Sequence, residues 1–228
     1  MHNTYYHHTN YIKKNIKYLD IIIKNIKMCY NEYGDRMEVV IGISNRHVHL
    51  KEEEYKILFG DEELTECKPI NQPGQFASNQ FVTLKNGDRV IEHVRILGPF
   101  RKYNQIEISK TDARLLKLDP PVRMSGNLEG SSPITIIGPK GQIELKEGCI
   151  IADRHIHITP KQMEMYGFNG LEKVNVMLKG EKGGIICNVR LKVSEASYFE
   201  LHLDTDDANA HLVNNGDIAD ILEGDKNV

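Results

Sequence analysis

The stretch SNRHVHL, residues 44–50, returns in altered form as DRHIHIT, residues 153–159. In both copies an arginine precedes a His-x-His, and one helix-like segment and several strand-like segments follow. A second pair of segments matches as well, since QIEISKTDA at 105–113 is similar to FELHLDTDDA at 199–208. Motifs that recur in the same order predict two related halves that arose by internal duplication.

The two His-x-His motifs supply paired imidazoles. Side chains at positions i and i+2 of a β-strand point to the same face. Aligning Asp112 with Asp207 makes Glu107 and His202 equivalent, each five residues before its aspartate. We therefore predict one set of three ligand-type side chains in each half: His47, His49 and Glu107, and His155, His157 and His202. Three protein ligands leave a position open for water or substrate, and imidazole with carboxylate suits zinc best among divalent ions.

From Met37 onward, short segments rich in Val, Ile and Thr alternate with Gly-Asp, Gly-Pro and Pro-Lys-Gly turns. This pattern predicts β-barrels or sandwiches rather than a sheet built from βαβ units. Short helices are predicted at 51–60, 111–118 and 159–167, and each of the last two opens with a threonine able to cap it.

Residues 11–28, YIKKNIKYLDIIIKNIKM, predict an amphipathic helix. Its apolar side chains follow helical spacing: Ile12, Ile16, Leu19, Ile23 and Ile26. Three interpretations stay open: a helix that packs on the body or on another subunit, one that binds a partner such as a microcompartment shell protein, and one that lies on a membrane surface. Met37 is a second candidate start codon.

Composition excludes several classes of protein. The 228 residues are 40% hydrophobic and 27% charged, as in ordinary globular proteins. Residues 1–36 hold six basic and three acidic side chains, which leaves 23 basic against 29 acidic in the rest and argues against a nucleic-acid partner. The sequence contains no run of about 18 apolar residues, so it predicts no transmembrane helix. Four scattered cysteines with no CxxC pair favour a reduced, cytoplasmic protein.

One arginine and two cysteines are further candidates for binding or catalysis. Arg101 follows a Gly-Pro turn, and its planar guanidinium suits an anion such as phosphate, although a surface cation remains the alternative. Cys67 and Cys149 are candidate acyl-carrying nucleophiles, but no base is fixed beside either one in sequence. Lone cysteines are more often buried apolar residues.

Six segments closely resemble the phosphate propanoyltransferases, the PduL-type phosphotransacylases. They are GISNRHVHL, NQPGQFASNQFVTL, RILGPFRKYNQIEISKTDA, PPVRMSG, GPKGQIELKEGCIIADRHIHITP and FELHLDTDDANA. The resemblance covers about residues 40–215 and keeps the order of the motifs. It implies two β-barrel domains with two metal ions, usually zinc, at their interface, and interconversion of acyl-CoA plus phosphate with acyl phosphate plus CoA.

The resemblance also implies roles for individual residues. The two sets of three would each hold a metal ion, and Arg101 would contact phosphate. The residues that would line the CoA site are Ser44, Lys68, Arg95, Leu97, His202 and Asn209. Asp153, where alanine is common, and Pro69-Ile70, where a polar residue is usual, depart from the family pattern. The second departure weakens the assignment of Lys68.

We therefore predict a mainly β phosphate acyltransferase with an N-terminal helical extension at 1–36 and two β-barrel repeats at 37–150 and 151–228. A strand at 38–44 is a candidate member of the second barrel. A dimetal hydrolase of acyl thioesters or acyl phosphates and a non-catalytic module with structural metals are the alternatives. Location in a bacterial microcompartment, self-association and the choice between acetyl and propanoyl groups stay open.

Overall fold

Fourteen strands and four short helices make up residues 37–222, the part of the chain that the computed structural model describes. The strands are β1 (Met37–Ser44), β2 (His47–His49), β3 (Glu66–Pro69), β4 (Phe76–Asn86), β5 (Arg89–Gly98), β6 (Gln105–Glu107), β7 (Val122–Arg123), β8 (Ser132–Ile137), β9 (Gln142–Ala152), β10 (His155–Ile158), β11 (Lys173–Leu178), β12 (Gly184–Val193), β13 (Glu200–Asp204) and β14 (Ile218–Leu222). The helices are α1 (Glu52–Phe59), α2 (Lys110–Leu115), α3 (Pro160–Met165) and α4 (Thr205–His211). The helix predicted at 11–28 lies outside the described residues.

The strands form two six-stranded barrels, so the prediction of a mainly β fold is confirmed. The first barrel runs β4–β5–β2–β6–β9–β8, and β8 pairs with β4 to close the ring. The second is a closed barrel in the order β1–β13–β10–β12–β11–β14. Strands β3 and β7 extend the first sheet by pairing with β4 and β9.

The pairing pattern shows the internal repeat. Strand β2 is parallel to β5 and antiparallel to β6, just as β10 is parallel to β12 and antiparallel to β13. Strand β9 lies parallel to β6, and β1 lies parallel to β13. In the second barrel β1 therefore takes the place that β9 takes in the first. Barrel membership does not follow chain order, because the strand before the first His-x-His belongs to the second barrel.

The His-x-His strands alternate between barrel interior and exterior. Val48 and Ile156, each between the two histidines of its motif, are fully buried apolar side chains, and Val48 belongs to the main apolar core. Because side chains alternate along a strand, the imidazoles point out of the barrels. The four imidazoles of the two motifs are nevertheless 5–7% exposed, so a second surface covers them.

The arginine before each His-x-His ties the motif to a helix. Arg46 Nη1 donates to Asp112 Oδ1 at 2.8 Å, and Arg154 Nε lies 3.3 Å from Asp207 Oδ2. Asp112 and Asp207 lie in α2 and α4, at the positions that the repeat aligns. The repeated Arg and Asp are therefore a structural pair that holds each helix beside its histidine strand.

The helix caps differ in part from the sequence prediction. Thr159 caps α3 as predicted, and its side chain accepts from the backbone of Gln162. Thr111 does not cap α2, because the helix starts at Lys110 and Ser109 is the capping residue. Helix α4, which was not predicted, begins after Asp204, whose carboxylate accepts from the backbone N–H of Asp207. In the described part of the chain, the helices are all too short or too polar to span a membrane.

Candidate metal centre

The structure brings the members of each predicted ligand set together. We call them the first cluster (His47, His49 and Glu107) and the second cluster (His155, His157 and His202). Within each cluster the candidate ligand atoms all lie within 4.8 Å of one another. Strand register explains this, since His47 pairs with Glu107 across β2 and β6, and His155 pairs with His202 across β10 and β13.

Backbone carbonyls fix one histidine of each cluster in the same tautomer. His47 Nδ1 donates to the carbonyl oxygen of Asn45 at 2.8 Å, and His155 Nδ1 donates to that of Asp153 at 2.8 Å. A carbonyl oxygen only accepts, so in both rings Nδ1 carries the hydrogen and Nε2 keeps its lone pair. An imidazole oriented in this way through its second nitrogen is typical of metal-binding histidines.

The distances between donor atoms fit a divalent ion. His155 Nε2 lies 3.1 Å from His157 Nε2, and His47 Nε2 lies 3.4 Å from Glu107 Oε2. Ligand atoms at zinc-bond distance around a tetrahedral ion are roughly 3.3 Å apart. His49 Nδ1 is buried without a hydrogen-bond partner among the described residues, which leaves its lone pair free for an ion.

Burial keeps these imidazoles neutral. Burial, together with the nearby charges of His202 and Lys192, lowers the pKa of His155 to about 3 and that of His157 to about 2. The pKa of His49 also falls well below its usual value, first through burial and then through His47 and Arg101. A metal ligand must be unprotonated, so these side chains are ready to bind an ion at neutral pH.

Both clusters face one cavity where the barrels meet. Glu107 of the first cluster and His155 and His202 of the second line the same cavity, together with Ser44 and Asp204. The two barrels therefore meet beside members of both clusters. Two sets of metal-type ligands opening on a shared space can act on one substrate.

The loop at 70–75 reaches across this interface. Asn71 Nδ2 donates to Glu200 Oε1 at 2.8 Å, and Gln72 Nε2 donates to the carbonyl oxygen of Tyr198 at 3.1 Å. Gln75 Oε1 accepts from Arg101 Nη2 at 2.7 Å. The loop thus joins the second barrel to Arg101, whose charge lowers the pKa of His49 in the first cluster.

Gln105 orients Glu107 in the first cluster. The backbone N–H of Gly126 donates to Gln105 Oε1 at 2.7 Å, which identifies that atom as the oxygen. Gln105 Nε2 therefore faces Glu107 Oε1, 2.5 Å away, and donates to it. This leaves Glu107 Oε2 directed at His47.

Glu200 takes the equivalent place in the second cluster, since it pairs with His157 as Gln105 pairs with His49. Glu200 Oε2 accepts from His202 Nε2 at 2.8 Å, so His202 Nδ1 keeps the lone pair. Burial alone would raise the pKa of Glu200, but hydrogen bonds from His202, Asn71 and Gln72 outweigh it and keep the pKa below its ordinary value. Sequence analysis missed both side chains, although each stands two residues before a candidate ligand on the same strand face.

Replacing Glu200 with glutamine should weaken zinc binding at the second cluster about 10- to 100-fold, as loss of such a supporting group typically does. Three donors converge on this carboxylate, and an amide keeps only one accepting oxygen. Competition with a chelating dye, fitted to two sites per chain, measures the effect.

Gly42→Ala provides an independent check on Glu200. A Cβ at Gly42 lies 2.8 Å from Glu200 Cδ and Oε1, so the added methyl group pushes the carboxylate aside. It should weaken the same site and leave the first cluster unchanged. Equal affinities in the parent and both variants would contradict a supporting role for Glu200.

The residues predicted for the CoA site lie in different surroundings. Ser44 lines the shared cavity, and Lys68 is exposed on β3. Arg95 donates to the carbonyl oxygen of Ser78, and its guanidinium lies 4.3 Å from the ring centroid of Phe81. The backbone of Leu97 acts on His49, since it opposes the lowering of the pKa of that imidazole. Asn209 is exposed on α4. Their contacts with CoA stay a prediction.

The candidate cysteine nucleophiles have little support. Cys149 is fully buried in the core of the first barrel, and burial raises its pKa to about 12. A thiol with so high a pKa is neutral at physiological pH and is a poor nucleophile. Cys67 is exposed on β3.

Fold and site define a double-barrel protein in which two clusters of side chains that could each hold a metal ion contribute to one cavity. Residues 40–214 match the family model for phosphate propanoyltransferase. The chain is 44% identical to the phosphate propanoyltransferase of Thermotoga maritima over 90% of this chain and 98% of that protein. It is 42% identical to that of Salmonella typhimurium over 84% of this chain and 91% of that protein. The chain belongs to the phosphate propanoyltransferase family and is a phosphate acyltransferase, as the sequence motifs predicted.

Proposed function

We propose that the chain interconverts acyl-CoA plus phosphate with acyl phosphate plus CoA at a site that holds two divalent metal ions, with zinc as the metal. The observation that carries this proposal is the pair of three-residue clusters that both contribute side chains to one cavity, with Arg101 acting on His49 of the first cluster. In the forward direction an oxygen of hydrogenphosphate forms a bond to the acyl carbon and the carbon–sulfur bond breaks. The proton of hydrogenphosphate ends on the CoA thiolate.

The chain's own residues bind and orient the reactants. Arg101 Nε is buried without a hydrogen-bond partner among residues 37–222, while Nη2 is held by Gln75. The guanidinium is therefore held in place while its buried Nε–H stays available, which suits a phosphate oxygen. Divalent ions at the two clusters would supply Lewis acidity for the thiolate and for the developing negative charge of the acyl group.

The transfer proceeds directly between CoA and phosphate, without an acyl-enzyme. The neutral, buried thiol of Cys149 supports this, since it is a poor nucleophile inside a packed core. The remaining CoA contacts are those of Ser44, Lys68, Arg95, Leu97, His202 and Asn209. We assign the enzyme to the cytoplasm. Microcompartment targeting through residues 11–28, self-association and the choice between acetyl and propanoyl groups stay predictions.

The test is CoA release from propanoyl-CoA and acetyl-CoA by metal-loaded protein, with and without inorganic phosphate and after chelation. We expect release that requires phosphate, yields acyl phosphate, stops on chelation and accompanies about two metal ions per chain. Release of free acid without phosphate would instead favour the dimetal hydrolase. Absence of turnover in fully metallated protein would favour the structural module.

A further inference from the structure

Lys192 is a charged side chain at the site to which neither the sequence motifs nor the proposed chemistry assigns a role. It lies on β12, and its register partner on the parallel strand β10 is His157. Paired residues on neighbouring strands project from the same face of a sheet, so Lys192 projects on the same side as the second cluster.

The charges around Lys192 come from both barrels. Lys192 lowers the pKa of His155 and His157 in the second cluster and also that of His49 in the first. Glu107 and Arg101, both of the first barrel, act in turn on the charge of Lys192. The charge of Lys192 therefore acts on both clusters and on the same anion-binding region as Arg101, while its register places it beside His157.

This ammonium has no direct partner in the part of the chain that the structure describes. Lys192 makes no side-chain hydrogen bond or ion pair within residues 37–222. Burial lowers its pKa, the charge of Arg101 lowers it further, and Glu107 opposes the change. A half-buried cation near a second cation is costly unless an anion joins them.

Arg101 offers the matching half of an anion site. Its Nε is buried without a hydrogen-bond partner among the described residues. An anion with several acceptor oxygens can take hydrogen bonds from a guanidinium and an ammonium at once. Arg101 comes from the first barrel and Lys192 from the second.

We propose that Lys192 binds the phosphate substrate together with Arg101, so that each barrel supplies one cation. This inference rests on the proposed function. Lys192 neutralises the dianion and holds it beside the second cluster. Inorganic phosphate and the phosphate groups of CoA both present oxyanions that two cations could bind. We assign Lys192 and Arg101 to the inorganic phosphate substrate.

Steady-state kinetics of the metal-loaded full chain tests this assignment. Lys192→Met keeps most of the aliphatic length and removes the charge, whereas Lys192→Arg keeps the charge. The matched control is Lys173→Met on the neighbouring strand β11, where the side chain is exposed. KM is measured separately for inorganic phosphate and for acyl-CoA, and metal content is counted for each variant.

We expect Lys192→Met to raise the KM for phosphate about 10- to 100-fold, as loss of a charge-assisted hydrogen bond does. The KM for acyl-CoA should stay within about twofold, Lys192→Arg should recover most of the loss, and Lys173→Met should match the parent. A rise in the KM for acyl-CoA alone would assign Lys192 to the phosphates of CoA and overturn the proposal. An unchanged KM for phosphate would overturn it too.

A binding measurement decides the matter if Lys192→Met folds poorly or loses metal. Metal-loaded protein with ¹³C-labelled lysine is titrated with inorganic phosphate alone and followed by NMR. One lysine resonance, absent from the Lys192→Arg variant, should move as phosphate binds, and no such movement would overturn the proposal. The NMR titration needs no turnover. It therefore tests phosphate binding by Lys192 even if the protein does not catalyse the proposed reaction.

Discussion

His157→Ala should lower phosphate-dependent CoA release about 100- to 1000-fold and remove one of two bound metal ions. His157 Nε2 lies 3.1 Å from His155 Nε2, and burial keeps the ring neutral. With only His155 and His202 left, the second cluster loses the three-ligand set that catalytic zinc sites use. Loss of one preorganised electrostatic element costs this much in enzymes that stabilise a developing oxyanion.

Metal analysis and the CoA-release assay on the same samples measure both effects. His93→Asn is the matched control, because His93 is an exposed histidine outside both clusters. Its φ is 56°, a backbone conformation that asparagine tolerates well. A His157→Ala variant with two metal ions and parental activity would contradict a metal-binding second cluster. Equal losses in both variants would point to a general effect of losing a histidine.

The repeat itself made the fold and the grouping of the two sets of side chains predictable. Alternation along SNRHVHL and DRHIHIT predicts paired imidazoles, and the alignment of Asp112 with Asp207 identifies Glu107 and His202 as equivalent. Both inferences use local spacing, which a sequence displays directly. The structure confirms that these side chains come together in two clusters.

Strand partnership was not predictable in the same way. The sequence made residues 38–44 a candidate member of the second barrel, which the structure confirms, but no local signal shows that β13 is the partner strand or that Lys192 on β12 has His157 as its register partner. These pairings join segments far apart in the chain, and they are set by how the two barrels close. Strand β14 and helix α4 escaped prediction as well, although Asp204 followed by two acidic residues in the first turn is an N-terminal helix signal.

Duplication has kept the geometry of the clusters and exchanged two of their chemical groups. The first cluster has a carboxylate ligand, Glu107, supported by the amide of Gln105. The second has an imidazole, His202, supported by the carboxylate of Glu200. The Gln105 amide donates to the Glu107 carboxylate, and the His202 imidazole donates to the Glu200 carboxylate. A change from carboxylate to imidazole at the candidate ligand therefore requires a change from donor to acceptor at the supporting residue. The first cluster carries its negative charge on a candidate ligand, Glu107, whereas the second carries it on Glu200, behind a candidate ligand. An ion held by the three neutral imidazoles of the second cluster would therefore be the stronger Lewis acid.

Metal-free protein should lose about 4 kcal/mol of folding stability through His155 and His157 between about pH 7.5 and about pH 5. Burial lowers the pKa of these side chains to about 3 and about 2, against an ordinary value of 6.5. Above about pH 7.5 the rings are neutral in both folded and unfolded chains and contribute no pH dependence. Below it the unfolded chain takes up protons that the folded chain does not, so acid favours unfolding.

Denaturant unfolding of metal-free protein across this pH range measures the loss. Carboxylates elsewhere also respond to acid, so the informative quantity is the difference between the parent and a variant with His155→Gln and His157→Gln. The variant has lost the two depressed imidazoles, and its free energy of unfolding should fall by about 4 kcal/mol less than that of the parent. The same pH dependence in both proteins would show that these imidazoles do take up protons in the folded state. They would then be poorly prepared to bind a metal ion, because each must be unprotonated to act as a ligand.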